Sequence, residues 1–321
     1  MKISAKLVLK AAESGDLEYL TEIVNDNIDI EVTLSWMTEV DKKGRAPLHL
    51  ACIYGHIHIV RVIWRVIVEY THDSFKRADL LNITDKKGRT GLYHATANGH
   101  LMICNYLIER KVDLDICTNE NHKSPGSTAL MASAENNQID CCKKLIQKDA
   151  DIVAMREDGA DAIYLAARHG NHEIIREIAT SSRFRLVINR KSFHGRNALV
   201  TAALHGHLEA CKALVSNGFN LDDQDDDKFT ALICASYEGH YRLVKWLVKS
   251  GANIYLKDRY GATAWDVAAS KDFSKIAGFL REWQDNLERG KQANQRMREA
   301  VYRGIPILLM TYQDRKMGRI R

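Results

Sequence analysis

Thirteen histidines and seven cysteines in 321 residues are enough, by number, to build a metal centre, a general base or a thiol nucleophile. Their spacing is the first question. His205-Gly-His207 sets two imidazoles side by side, as a ligand pair would, and His172-Glu173 opens like the helix of a zinc protease. The second histidine that such a helix requires four residues on is missing. No Cys-x-x-Cys pair occurs, which argues against a zinc site. Gly-rich phosphate loops, nucleophile elbows and kinase signatures are also missing. The sequence therefore predicts no catalytic residue, no cofactor and no metal, and the histidines and cysteines need another explanation.

The elements that carry them supply it. Helix starts recur at Ala46-Pro-Leu-His, Thr90-Gly-Leu-Tyr, Thr128-Ala-Leu-Met, Asp161-Ala-Ile-Tyr, Asn197-Ala-Leu-Val, Thr230-Ala-Leu-Ile and Thr263-Ala-Trp-Asp, in steps of 44, 38, 33, 36, 33 and 33 residues. Six of these starts have a Thr, Asp or Asn able to cap free amides, and the seventh, Ala46, precedes a proline suited to a first helical turn. Each start is followed by small residues (Ala51, Ala95, Ser133, Ala166, Ala202, Ala235, Ala268) that let helices approach closely, and then by a break at Gly55, Gly99, Asn137, Gly170, Gly206, Gly239 or Asp272. Gly, Asn and Asp are the types that tolerate the left-handed residue ending a first helix. A second, apolar helix follows, most clearly in Phe229–Asn253 with Leu243, Val244, Leu247 and Val248. Ala11-Ala-Glu-Ser-Gly-Asp16 matches Ala51-Cys-Ile-Tyr-Gly-His56 and marks a degenerate unit ahead of the others.

A base period of 33 residues, built as a turn and two helices with a Thr-Pro-Leu-His signature, resembles the ankyrin repeat over roughly residues 5 to 285. The resemblance implies an all-α ankyrin-repeat solenoid of about seven full repeats plus a degenerate N-terminal capping unit, with a short C-terminal extension. The expected division is 1–288 for the solenoid and 289–321 for a basic, partly apolar tail. The same register accounts for the histidines: His49 is the signature histidine, and His56, His100, His207 and His240 fill a Gly-His slot whose imidazole, in the family, ties helix and turn together. Cys104, Cys142 and Cys211 share one helix position with Val244, and Cys52 and Cys234 replace small or apolar helix residues. They read as buried thiols serving as small hydrophobes. Cys117, in a turn, and Cys141, on a second helix, are the two expected to be exposed.

Composition sets the remaining bounds. A hydrophobic fraction of 45% with 27% charged residues and three prolines suits a helix-rich globular chain. Of the net charge of +5, the segment from residue 286 carries +6, so the body before it is close to neutral. Lysines interrupt the first ten residues, which do not read as a signal peptide. The most apolar stretch, Ile57 to Val68, contains His58, Arg61 and Arg65 and is shorter than the ~20 residues a bilayer needs. No membrane span is expected, and a cytosolic or nuclear location follows.

In the family, partners lie in the groove made by turn tips and the exposed side of the first helices. The corresponding pairs are Ile53-Tyr54, Ala97-Asn98, Glu135-Asn136, Arg168-His169, Leu204-His205, Tyr237-Glu238 and Ser270-Lys271. Tyr54, Asn98, Arg168, Leu204, His205, Tyr237 and Glu238 are thus candidate contacts, the tyrosines foremost. Two tips, Asp41-Lys-Lys-Gly-Arg45 and Asp85-Lys-Lys-Gly-Arg89, are identical and basic, which adds Lys43, Arg45, Lys87 and Arg89. Asp222-Asp-Gln-Asp-Asp-Asp-Lys228 is acidic and adds Asp225 and Asp226, so a bound partner would feel a charge gradient. The acidic turn argues against nucleic acid as a ligand of the body.

Connections 69–84 and 118–127 are long, either binding-face insertions or neutral loops. In the tail, Gln292 to Arg303 reads as a helix with Ala293, Met297 and Val301 on one face. Ile305-Pro-Ile-Leu-Leu-Met-Thr-Tyr312 is too apolar for a free linker, so it either caps the last repeat or docks on a partner. The basic tail also suits an acidic surface. A protein-binding scaffold or adaptor is the leading reading, and a structural subunit of a large assembly is the alternative. A faint likeness of the proline-containing tail to the adaptor box of ubiquitin-ligase ankyrin proteins lacks the box's cysteine-arginine part.

Overall fold

The structure, a computed structural model, describes residues 5–26, 36–71, 73–188 and 190–302. Every regular element among them is helical, apart from two isolated β-bridges, Thr84–Thr90 and Lys257–Thr263. First helices α1 (Ala5–Ser14), α3 (Pro47–Tyr54), α6 (Gly91–Ala97), α8 (Ala129–Glu135), α10 (Ala162–Arg168), α12 (Ala198–Leu204), α14 (Ala231–Tyr237) and α16 (Ala264–Ser270) pack in a row, each on the next. Behind them lie second helices α2 (Leu17–Asp26), α4 (Ile57–Tyr70), α7 (Leu101–Glu109), α9 (Ile139–Gln147), α11 (His172–Ala179), α13 (Leu208–Ser216), α15 (Tyr241–Lys249) and α17 (Ser274–Tyr302). One continuous core runs between the layers, with Leu107, Leu145, Leu214 and Leu247 fully enclosed at the same place in four second helices.

The starts and breaks lie where the residue types require them. Thr90, Thr128, Asp161, Asn197, Thr230 and Thr263 each accept the main-chain N–H three residues on. Each such cap contributes about 1 kcal/mol. At Ala46, which has no side-chain oxygen, His49 takes over: its Nδ1 accepts the Ala46 N–H at 2.9 Å while Nε2–H donates to the Ile83 carbonyl at 3.0 Å. Asn137 and Asp272 hold φ of 57° and 59°, doing at their breaks what glycine does at the others.

Asp161 is the costly cap. It is buried, and burial pushes its carboxyl up to about 6 against the lowering effect of the Tyr164 N–H and of Arg190. A carboxyl raised in the folded state loses stability as pH climbs from its unfolded value near 4 through its folded one. The next unit uses Asn197 in the same slot. Asp161→Asn is therefore expected to gain about 1–2 kcal/mol near pH 7, with the gap to wild type closing between about pH 6 and pH 4. Urea unfolding across that range checks it; a gap independent of pH would mean that Asp161 ionises normally.

Neighbouring units are joined by an interlock. His56, His100, His207 and His240 each donate Nε2–H to a first-helix carbonyl of the preceding unit: Glu13, Ile53, Arg168 and Leu204, at 3.0, 2.9, 3.1 and 3.2 Å. Asn171 does the same to Ala134 at 2.7 Å. These rings lie on the glycine of the preceding unit: a Cβ at Gly206, whose φ is +74°, would come within 2.6 Å of His240. Glycine is needed there for backbone and packing together. The imidazole slot thus ties a unit to its predecessor, more than helix to turn within one unit.

The described residues of the long connections carry structure of their own. Residues 69–84 contain α5 (Ser74–Leu81), which buries Leu81, while Arg77 donates to the Thr71 and Val68 carbonyls at the end of α4. Residues 118–127 close on themselves through Thr118 N–H to Ser127 and Gly126 N–H to Thr118. At the other end, Ile276 and Leu280 are buried and Trp283 packs on the core, but the stripe ends there, since Leu287 is exposed. Helix α17 runs through residue 288 to Tyr302, so the expected boundary at 288/289 falls inside a continuous helix. The expected face of Ala293, Met297 and Val301 and the segment Ile305–Tyr312 lie outside the described side chains and residues.

Candidate partner-binding surface

Burial accounts for most of the thiols. Cys52, Cys104, Cys142, Cys211 and Cys234 are enclosed, and burial pushes the Cys142, Cys211 and Cys234 thiols up to about 12, far from thiolate reactivity. Cys117 is exposed. Cys141 is not: it lies buried against Cys104 of the preceding unit, which corrects the expectation of an exposed thiol. No group of three or more His, Cys, Asp or Glu among the described residues is arranged to hold a metal. His205 and His207, the apparent ligand pair, have ring centroids 6.1 Å apart, and His207 is committed to the Arg168 carbonyl.

The ends of the first helices form a row on one face. Tyr54 is 46% exposed and donates its hydroxyl to Glu13 at 2.9 Å. Asn98 is exposed but folds its amide back onto the His94 carbonyl at 2.8 Å. Arg168, His205 and Glu238 are exposed. Leu204 is half-buried and packs on the core, so it offers less surface than its sequence position suggested. Tyr237 is 40% exposed, held edge-on by Phe229 (6.3 Å between centroids) and covered by the Lys271 ammonium 4.1 Å from its ring centre. It is the most firmly placed aromatic of the row, and Lys271 is a partner that the sequence did not assign to it.

The turn tips line up beside this row through main-chain bonds. Lys86 N–H donates to the Lys43 carbonyl (3.2 Å), Asn119 to Lys87 (3.1 Å), Glu157 to Pro125 (3.2 Å), Asp226 to His194 (3.1 Å) and Arg259 to Asp227 (2.9 Å). The two identical basic tips are therefore stacked, with finger 118–127 next in line. Their arginines are spent within their own turns: Arg45 pairs with Asp41 at 2.6 Å and Arg89 with Asp85 at 2.7 Å. Lys43 and Lys87 remain exposed, and with Lys86, Arg89 and Asn121 they line a cavity of about 530 Å³.

The acidic turn departs from expectation. Asp225 is only 5% exposed and accepts from Asp227 N–H, Phe229 N–H and Arg196 Nε, so it organises its turn and cannot face a partner. Asp222 accepts from Asn253 N–H, Asp223 from the Asn197 amide, and Asp227 pairs with Arg259 at 2.6 Å. Asp226 is exposed. The expected charge gradient thus keeps its basic end, while its acidic end is largely consumed by neighbouring units. Lys86 and Asn121 were missed as candidates; the identity of the two tips was the available signal, because stacked identical turns bring like charges together.

Comparison with known proteins agrees with this architecture. The family model for ankyrin repeats (3 copies) matches in overlapping stretches from residues 7–118 to 220–289. Human NF-kappa-B inhibitor zeta is 27% identical over 202 residues, 61% of this chain and 25% of that protein. The rat nuclear factor NF-kappa-B p105 subunit is 24% identical over 185 residues, 58% of this chain and 15% of that one. A Caenorhabditis elegans transient receptor potential cation channel subfamily A member 1 homolog is 26% identical over 162 residues, 49% of this chain and 13% of the channel. The chain thus spans a quarter or less of these relatives' lengths. Ankyrin repeats are protein–protein interaction modules, and no described helix is long and apolar enough to cross a membrane. The recurring caps, left-handed breaks, inter-unit imidazoles and matching family model together make this chain a member of the ankyrin-repeat family.

Proposed function

We propose that the chain is a non-catalytic scaffold or adaptor in the cytosol or nucleus, holding a protein partner along the first-helix ends and turn tips. The observation that carries this reading is the unbroken row of exposed first-helix ends flanked by stacked tips. Tyr54, Asn98 and Tyr237 in this row are held in place before any partner arrives, which lowers the ordering cost of binding. Two relatives carry NF-kappa-B in their names, one of them as an inhibitor, which supports a binding module over a purely structural subunit.

Tyr237→Ala is expected to weaken capture of a partner recovered by wild type by roughly tenfold or more, as loss of an anchoring tyrosine does, with an unchanged melting transition. Removal of 290–321 is the opposing arm. If truncation abolishes capture while Tyr237→Ala and Arg168→Ala retain it, the structural-subunit reading replaces this one.

A further inference from the structure

The cavity between the two identical tips has a chemistry of its own. Its rim carries Lys43, Lys86, Lys87 and Arg89, with the Asn121 side chain as a neutral member. Lys86 is pinned by a 3.0 Å bond from Nζ to the Lys42 carbonyl, and Asn119 bonds the Lys86 and Lys87 carbonyls, so the rim is set by main-chain contacts. The carboxylates that could quench it are engaged: Asp41 and Asp85 each accept from their own arginine and from two main-chain amides. Lys43 and Lys87 have no ion pair among the described residues. Finger residue His122 stands beside this field; burial favours its neutral form, with the charges of Arg89, Lys87 and Arg156 adding to it against the opposing bond to the Ser124 carbonyl.

We propose that this cavity is the seat of an acidic segment of the partner, a run of Asp or Glu side chains whose carboxylates meet Lys43, Lys86 and Lys87. The proposal rests on the groove reading above and adds the chemistry of what is held. A run of separate carboxylates suits it better than one compact anion, because the ammonium groups sit on separate side chains of two tips, and the arginine forks that would clamp a single anion are already closed on aspartates. A nucleic-acid duplex needs a continuous basic stripe to match its closely spaced phosphates. Here the stripe stops beyond the finger, at the tip where Glu157 and Asp158 are exposed. Three uncompensated ammonium groups around one cavity raise the local concentration of a carboxylate-rich segment and orient it, an effect that salt screens.

The test is fluorescence anisotropy of the full-length chain with a fluorescein-labelled glutamate decapeptide. Wild type should bind, and weaken steeply as ionic strength rises from about 0.05 to about 0.3 M. Lys43→Glu/Lys87→Glu should weaken binding roughly tenfold or more, and Lys43→Gln/Lys87→Gln by an intermediate factor. Lys245→Glu/Lys275→Glu, exposed lysines away from the cavity with the same change of net charge, should stay within about twofold of wild type. Equal losses in the two Glu pairs would assign the binding to overall charge or the basic tail and overturn the seat. So would no binding by wild type, stronger competition by inorganic phosphate than by unlabelled peptide, or tighter binding of a DNA duplex that the Lys43/Lys87 variants abolish. These outcomes are separate from the groove reading, which stands or falls on capture by Tyr237→Ala.

Discussion

Asp85→Ala is expected to destabilise the protein by about 3–5 kcal/mol, whereas Asp41→Ala, in an identical Asp-Lys-Lys-Gly-Arg turn, should cost about 1 kcal/mol or less. The two carboxylates accept the same local bonds from Lys or Arg amides and from arginine Nε. They differ in surroundings. The Asp85 side chain is wholly enclosed, against 22% exposure for Asp41, and it also accepts from His94 Nε2 at 3.1 Å. Removing it leaves a buried imidazole and a guanidinium without their acceptor. Burial alone would push the Asp85 carboxyl up; the bonds from His94 and Arg89 outweigh it and hold the group well below the usual carboxylate range. A carboxylate depressed in this way contributes fully above its unfolded value and is lost only as pH falls through the folded one. The gap between Asp85→Ala and wild type should hold from neutral pH down to about pH 4 and close in stronger acid. Urea unfolding of both variants over that range is the measurement. Equal costs for the two positions would mean that the turn-local bonds dominate.

Leu145→Ala is expected to cost about 3–5 kcal/mol and to change the shape of unfolding as well as its midpoint. Leu145 is fully enclosed in α9, whose unit is flanked on both sides. In a linear array, stability is a sum of unit and interface terms, so weakening a middle unit loosens two interfaces and lets the flanking blocks unfold separately. Leu280→Ala, in α17 at the end of the row, touches one interface and should cost less while leaving one transition. Trp36 and Trp64 precede Leu145 in the chain, and Trp246, Trp265 and Trp283 follow it, so tryptophan emission reports on both blocks. For Leu145→Ala, emission and far-UV circular dichroism should trace different curves. Coincident curves would show that the interfaces hold the array together despite the cavity.

The features readable in advance were those with local causes. A cap needs an oxygen at one position and a left-handed break needs Gly, Asn or Asp at another, so Thr230 or Asn137 could be placed from residue type and spacing. The features that were misjudged depend on neighbours about one period away. Asp225 looked like free negative charge, but Arg196, 29 residues earlier, turns toward it. Cys141 looked peripheral by register, but Cys104 of the preceding unit covers it. Asp41 and Asp85 sit in the same pentapeptide and differ only through what the fold brings to them. The candidate surface was half legible for the same reason: Tyr54 and Tyr237 follow from the periodic register, while the lysine-rimmed cavity arises from the stacking of two tips 44 residues apart.

The imidazole interlock makes some joints of this array interchangeable and others not. His207 rests on Gly170 and His240 on Gly206, so deleting the intervening unit would present His240 to Gly170 and recreate a joint already used four times. At the imidazole joint itself, an array lengthened or shortened by such a unit needs no compensating substitution. Gln138 on Gly99 and Phe273 on Gly239 are keyed differently, and the same edit there would bring together surfaces that have never been matched. The runs 15–100 and 170–240 are where length can drift by this criterion, and the odd joints fix which units must stay next to each other.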